Sequence, residues 1–355
     1  MSSKNTNNDI NAFTAGFLST ILAGRYQEVI KARYGLHGSE PETLQAIGDR
    51  YGITRERVRQ IEAIALDNLR QNADQPYIKS FIQSAVSQLK TVGGAQKEDH
   101  FLSSLHKAIN DRGTVQDFTN PAKFLLELAG KFYFHNDNYD LDWHRHWYLG
   151  EADKKKAYTF VAKLVAGLRS KKEAVLAGKK FNEIFSAQAK GAGISEAVAK
   201  NYLAISKNFT TGPFNEFGLA EWSEINPRTA RDWAYAILKK EKHPLHFREL
   251  YEAISKSRKE KRTNLQTVHN ELIKDDRFVL VGRGLYGLRE FGLIPGTAKE
   301  IIAHVLKNNG PLSNKEVVKM VMQQRMIKEG TIMINLQNQK YFKSLPDGRY
   351  TVKEA

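Results

Sequence analysis

The 355-residue sequence contains no cysteine, which excludes a disulfide framework, thiolate zinc and a cysteine nucleophile. It also lacks any run of about eighteen apolar residues, so no membrane span is expected. The opening MSSKNTNNDINAF is polar and lacks the basic-then-apolar order of a secretory signal. No GxxxxGK[ST] phosphate loop occurs, and GRGLYG near residue 284 lacks the strand–helix context of a dinucleotide fingerprint. No carboxylate pair, triad or metal spacing stands out as catalytic. These absences point away from an enzyme, a cofactor, a bound metal or a small-molecule substrate, and toward a cytoplasmic protein without membrane contact.

Basic residues are in excess. Lys and Arg number 54 against 39 Asp and Glu, a net charge of +15. Surface cations gain affinity for nucleic acid by releasing counterions condensed on the phosphates. A ribosomal or membrane-surface partner fits the same number, so the charge selects a polyanion and no more. The apolar fraction, 41%, is that of a folded protein.

Along the chain, residues 1–12 read as an unstructured lead. Residues 13–30 carry apolar positions at helical spacing, and 43–50, 54–70 and 75–92 read as further helices. TVGGAQKED reads as a linker over 93–99, its glycines and charges offering no apolar face. Four segments then follow one plan of helices ending in a β-rich stretch: 100–150, 151–224, 225–292 and 293–355. In the third, Pro227 suits the first position of a helix running to Leu238. HPLHFRELYEAI makes a second helix there, residues 264–274 a third, and RFVLVGRGLYGLREFG a hairpin around Gly282 and Gly284. Three helices plus a β-hairpin is the winged-helix pattern. The expected fold is mainly α: an N-terminal helix-turn-helix followed by an array of winged-helix modules.

The most informative segment is TLQAIGDRYGITRERVRQIEAIALDNLR, residues 43–70. Leu44, Ile47 and Tyr51 on one helix, and Val58, Ile61 and Ala65 on the next, are spaced to bury together. Ala46 and Gly48 are small where the helices approach, Gly52 suits a turn with positive φ, and Thr54 is a good N-cap. Arg57 at the third position leaves the capping box incomplete. The second helix presents Arg55, Glu56, Arg59 and Gln60 opposite its apolar face. Arg pairs with guanine, Glu accepts from cytosine and Gln pairs with adenine. A solvated face of a helical bundle would also look like this. The coincidence of turn glycine, N-cap and base-reading side chains favours DNA.

These residues, with EVIKARYGLHGSEPE before them, resemble region four of the housekeeping bacterial sigma factors over about an eighth of the chain. The resemblance implies a module that grips the minus-thirty-five element of double-stranded promoter DNA and docks on the β flap of the RNA polymerase core. It implies that Thr54 caps the recognition helix, that Arg55, Glu56 and Gln60 touch base edges, and that Arg57 and Arg59 serve phosphates or position the helix. The promoter-melting helix of that family belongs before region four, where only about two dozen residues stand, so autonomous promoter opening is not expected.

The segment HPLHFRELYEAI…TNLQTVHNELIKDDRFVLVGRGLYGLREFG resembles the HARE-type winged helix, a family found in the delta subunit of RNA polymerase, in chromatin proteins and fused to restriction enzymes. By that resemblance Asn264, Gln266, Thr267 and Asn270 face a groove and Arg283 in the wing reaches phosphate, unless the module docks protein instead. His243 and His246 read as parts of a packed helix start. The basic run SKSRKEKR, 255–262, reads as a solvated loop, with a phosphate role as the sharper alternative. In WHRHW, alternation of Trp143, Arg145 and Trp147 along a strand with core tryptophans is favoured over a metal held by His144 and His146. The whole reads as a promoter-binding, nucleoid-associated transcription protein. A delta-like polymerase accessory subunit without sequence preference is the alternative.

Overall fold

A computed structural model describes residues 9–38, 40–178, 180–258, 263–293, 296–324 and 327–353. The fold is mainly α, with short strands only. The chain divides into two units, Met1–Phe209 and Thr210–Ala355.

The first unit opens with α1 (Ile10–Ile21), α2 (Arg25–Tyr34), α3 (Leu44–Tyr51) and α4 (Arg55–Gln71). Order therefore begins within the stretch expected to be an unstructured lead. Asp9 caps α1 by accepting from the Ala12 N–H at 3.0 Å, and the Ile10 N–H donates to Asp111 Oδ2 at 2.8 Å. A distant carboxylate thus fixes a terminus that its own sequence leaves bare. Next come α5 (Pro76–Thr91), β1 (Ala95–Lys97), α6 (Glu98–Ile109), α7 (Val115–Ala129), β2 (Tyr133–His135) and β3 (His146–Tyr148).

The stretch expected as a linker, 93–99, is structural: it holds β1 and the start of α6, and Ala95 and Gln96 are buried. β1 pairs antiparallel with β3, which also pairs with β2. α5, α6 and α7 with this three-stranded sheet form a winged helix, so that module begins at α5 and not at residue 100. A two-glycine charged segment reads as a linker when its strand partner lies fifty residues away.

One core joins these parts. Phe17 and Leu18 of α1, Leu69 of α4, Phe81 of α5, Phe101 of α6 and Phe124 of α7 belong to a single buried cluster, which Trp147 of β3 completes. α7 carries seven buried residues out of fifteen because α1, α2 and α4 cover it. Its Asn120 amide donates to the Gly35 carbonyl at 2.9 Å. The third helix of this winged helix, the one that usually enters a groove, is therefore spent on internal packing.

The unit continues through α8 (Glu151–Arg169), α9 (Lys172–Gly178), α10 (Phe181–Gly191) and α11 (Glu196–Ile205). The boundary between units falls inside β4 (Phe209–Thr211), which pairs with β5 (Phe217–Leu219).

The second unit holds two winged helices with separate cores. The first comprises α12 (Ala230–Glu241), β6 (Leu245–His246), α13 (Phe247–Ser257), α14 (Leu265–Lys274), β7 (Phe278–Leu280) and β8 (Leu285–Leu288), with sheet order β6-β8-β7. Pro227 does not open α12. Thr229 caps it in a reciprocal box with Asp232, an arrangement that satisfies two free N–H groups where proline merely removes one. Leu245 and His246, expected inside a helix, pair instead with Tyr286 and Leu285. The second winged helix comprises α15 (Ala298–Asn309), α16 (Asn314–Gln324), α17 (Glu329–Leu336) and the hairpin β9 (Phe342–Ser344) and β10 (Tyr350–Val352).

Candidate nucleic-acid interface

α2, α3 and α4 enclose a small apolar cluster of Val29, Ala32, Ile47, Val58 and Ile61, with Leu44 and Tyr51 packed against it. Ala65, expected in this seam, lies one turn further along α4 and joins the large core. α4 is thus anchored at its C-terminal half and free to project at its N-terminal half. Ala46 is exposed and does not mediate the helix approach. Gly48 does: a Cβ there would stand 2.7 Å from the Ile53 carbonyl oxygen. Gly52 ends α3 with φ +64, a conformation costly for any residue with a Cβ.

Thr54 caps α4, its hydroxyl accepting from the Arg57 N–H at 3.2 Å. Arg55, Glu56, Arg57, Arg59 and Gln60 are all exposed on one stretch of the helix, and Val58 and Ile61 face inward. Glu56 accepts two bonds from Arg59, Nε at 2.8 Å and Nη2 at 2.7 Å. Those bonds hold the Glu56 carboxyl below the usual carboxylate range. Arg57 donates to Gln60 Oε1 at 3.2 Å. Arg55 has no hydrogen bond or ion pair among the described residues. The five side chains expected to meet DNA therefore form one cationic edge with two internal pairs that exchange partners at low cost, being solvent-exposed.

Two arginines were not singled out from the sequence. The Arg25 and Arg50 guanidiniums lie 5.7 and 5.6 Å from the centre of the Tyr51 ring. Arg50 also pairs with Glu42, and Arg33 pairs with Glu62 at 3.2 Å. The run DRY in α3 was the available signal. Tyr34 donates to Glu127 of α7 at 3.0 Å, tying the turn after α2 to the core.

In the second unit, Asn264, Gln266, Thr267, Asn270 and Arg283 are exposed on α14 and the wing. Asn264 is the N-cap and accepts from the Thr267 N–H at 2.6 Å, and Gln266 donates to Asn270 at 2.9 Å. Asn264 thus has a structural duty in place of the free groove-facing role expected of it. His246 caps α13, its Nδ1 accepting from the Arg248 N–H at 3.3 Å, in a box with Glu249. His243 is exposed beside Pro244. Of the basic run 255–262, residues 259–262 lie outside the described residues. Arg258 of that run donates to Thr263 at 2.7 Å, bracing the approach to α14.

The histidines of WHRHW have other work. His146 is fully buried, its Nδ1 2.7 Å from the His144 carbonyl and its Nε2 3.2 Å from the Tyr158 hydroxyl. Burial pushes its pKa down to about 4, and the nearby His135 and Lys154 charges act in the same direction. Trp147 enters the core, whereas Trp143 lies outside β3, stacked on Tyr158 at 3.6 Å. The expected single face of tryptophans is therefore split. No helix among the described residues is long and apolar enough to cross a membrane.

Two family models match separate parts of the chain. "Sigma-70, region 4" covers residues 21–71, and HARE-HTH, the "ASXL, restriction endonuclease HTH domain", covers 228–291. Among curated proteins the chain is similar to RNA polymerase sigma factor SigA4 of Synechococcus elongatus, 49% identical over 55 residues, which is 16% of this chain and 18% of the relative. It is also similar to SigA1 of the same organism, 44% identical over 68 residues, 19% of this chain and 17% of the relative. RNA polymerase sigma factor RpoS of Coxiella burnetii is 54% identical over 49 residues, 14% of each chain. The chain spans less than a fifth of the length of these relatives. Helices α2–α4 and the winged helix of α12–α14 are, respectively, a sigma-70 region 4 and a HARE-type helix-turn-helix domain, joined in one chain.

Proposed function

We propose that this protein binds double-stranded promoter DNA and associates with RNA polymerase, acting in transcription initiation or its regulation. The observation that carries this reading is the edge of Arg55, Glu56, Arg59 and Gln60 on a helix whose other half is locked in a core. In this reading α4 seats in the major groove and Arg55 and Gln60 read base edges. The Glu56–Arg59 pair opens to share its groups between cytosine and phosphate. Arg25 and Arg50, beside the first helix of the pair, meet the backbone that this helix crosses. Gln266, Thr267, Asn270 and Arg283 add a second contact. Sigma region 4 in the relatives belongs to RNA polymerase sigma factors, and polymerase core, through its β flap, is the protein partner proposed here. No catalytic step is proposed.

A second reading, a polymerase accessory subunit without sequence preference, is favoured by the winged helix of α5–α7, whose third helix is buried. Residues 93–153 carry ten Asp and Glu against six Lys and Arg, a surface suited to protein contact and not to phosphates. Selection of bound sequences from a random duplex library, with and without polymerase core, separates the two. A minus-thirty-five-like hexamer selected by the protein alone supports promoter reading. A hexamer selected only with core supports a sigma-like partnership, and no motif in either arm retires the promoter reader.

A further inference from the structure

The pair α10–α11 repeats the turn of α3–α4. The Ile194 N–H donates to the Ala189 carbonyl at 3.2 Å, as the Ile53 N–H does to Gly48 at 3.0 Å. Gly193 has φ +65 against +64 at Gly52, and Ser195 caps α11 as Thr54 caps α4. By position α11 is the counterpart of the reading helix, yet its reading edge is occupied. Asn201, at the place of Gln60, donates to the Val92 and Ala95 carbonyls at 2.9 and 2.6 Å. Tyr202 donates to the Gly93 carbonyl at 2.7 Å, so α11 is bolted to the start of β1.

The module nonetheless holds the densest positive charge in the first unit. Residues 154–207 contain twelve Lys and Arg against three Asp and Glu. α8 buries Ala157, Phe160, Val161, Leu164, Val165 and Leu168. Its opposite face exposes Lys155, Lys156, Thr159, Ala162, Lys163 and Ala166. None of the three lysines has an ion pair among the described residues, and the small side chains between them let a backbone come close. Lys156 and Lys163 are two helical turns apart, about 10 Å along the axis, comparable with about three nucleotides of a strand. No large apolar side chain is exposed within 154–207 among the described residues. A membrane-surface helix needs such residues to insert, and a stable protein interface uses them at its centre. A phosphate backbone needs neither.

We infer that the outer face of α8 is a second, sequence-independent duplex contact, in which Lys155, Lys156 and Lys163 neutralise phosphates while α11 serves as scaffold. The inference rests on the DNA-binding reading above, and the test separates the two. The full-length triple variant K155A/K156A/K163A is compared with wild type and with K107A/R112A/K131A, which removes the same charge from the acidic winged helix. Binding to a random-sequence duplex is measured across salt concentrations, and thermal unfolding is checked for all three proteins. The α8 variant is expected to lower the slope of log K against log salt by about two to three, at ~0.9 for each phosphate no longer neutralised, with any motif from library selection unchanged. The control variant moves the slope by less than one. Equal slopes for wild type and the α8 variant overturn the inference. So does loss of binding to phosphatidylserine vesicles with duplex binding intact, which would assign the face to lipid. If library selection yields no motif but the slope falls as stated, promoter reading fails and the α8 contact stands.

Discussion

Gly48 and Gly52 sit four residues apart in the same turn, yet they are constrained by different physics. At Gly48 the obstacle is a backbone oxygen at 2.7 Å that cannot move without breaking the turn. At Gly52 there is open space and only the positive φ to resist a side chain. Gly48→Ala is accordingly expected to destabilise by about 1–3 kcal/mol through overpacking, and Gly52→Ala by about 1 kcal/mol through strain. Denaturant midpoints of the full chain check the order, and a larger loss at Gly52 would contradict it. On the reading edge, Arg55→Ala or Gln60→Ala is expected to relax base preference by about 1–3 kcal/mol and leave the salt slope nearly unchanged. Equal weakening on every sequence in competition binding would remove those residues from the groove.

His146 adds a pH dependence. Its neutral ring is favoured in the fold, with a pKa of about 4 against an ordinary 6.5. Between those values the unfolded chain binds the extra proton, so stability falls as pH drops from 6.5 toward 4. The contribution over that window is on the order of 3 kcal/mol at most. Denaturation of wild type and His146→Gln at neutral and at mildly acidic pH should show a steeper loss in the wild type. Parallel losses would mean that the ring is not responsible.

At the scale of elements, α4 and α11 are the same device put to opposite uses. Both follow a capped turn with a left-handed glycine, and both bury one face. What differs is the other face: open at α4, bonded to the Val92 and Ala95 carbonyls at α11. Asn201→Ala leaves two carbonyls without this donor and is expected to cost about 1–3 kcal/mol. It should also raise amide exchange in β1 more than in α14, which belongs to the other unit. Uniform exchange changes across both would argue against a local bolt. The helices, the capped turn and the exposed reading edge were all legible in the sequence, because they depend on neighbours three and four residues apart. The role of α11 was not, because it depends on carbonyls more than a hundred residues distant.

At the scale of the molecule, the sigma region 4 does not stand on a core of its own. Its private cluster holds five buried residues, and the rest of α4 shares a core that runs from α1 to β3. A fragment ending at residue 92 would expose Phe81, Leu89 and the underside of α4, and is expected to lack a cooperative thermal transition. A fragment of residues 1–209 should retain one. Cooperative unfolding of the shorter fragment by circular dichroism would show that the shared core is dispensable.

The sequence alone determined what local periodicity and side-chain chemistry can encode: the mainly α class, the helix-turn-helix at 43–70, the hairpins of the second unit and the cationic edge of α4. Tertiary structure decided which face of each helix remains available. It turned an apparent linker into β1, buried the third helix of the first winged helix, gave Asn264 and His246 capping duties and covered the edge of α11. Those outcomes rest on groups that meet only after folding, most of them far apart in the chain. The closure entropy of such long-range contacts is repaid only when the whole core assembles.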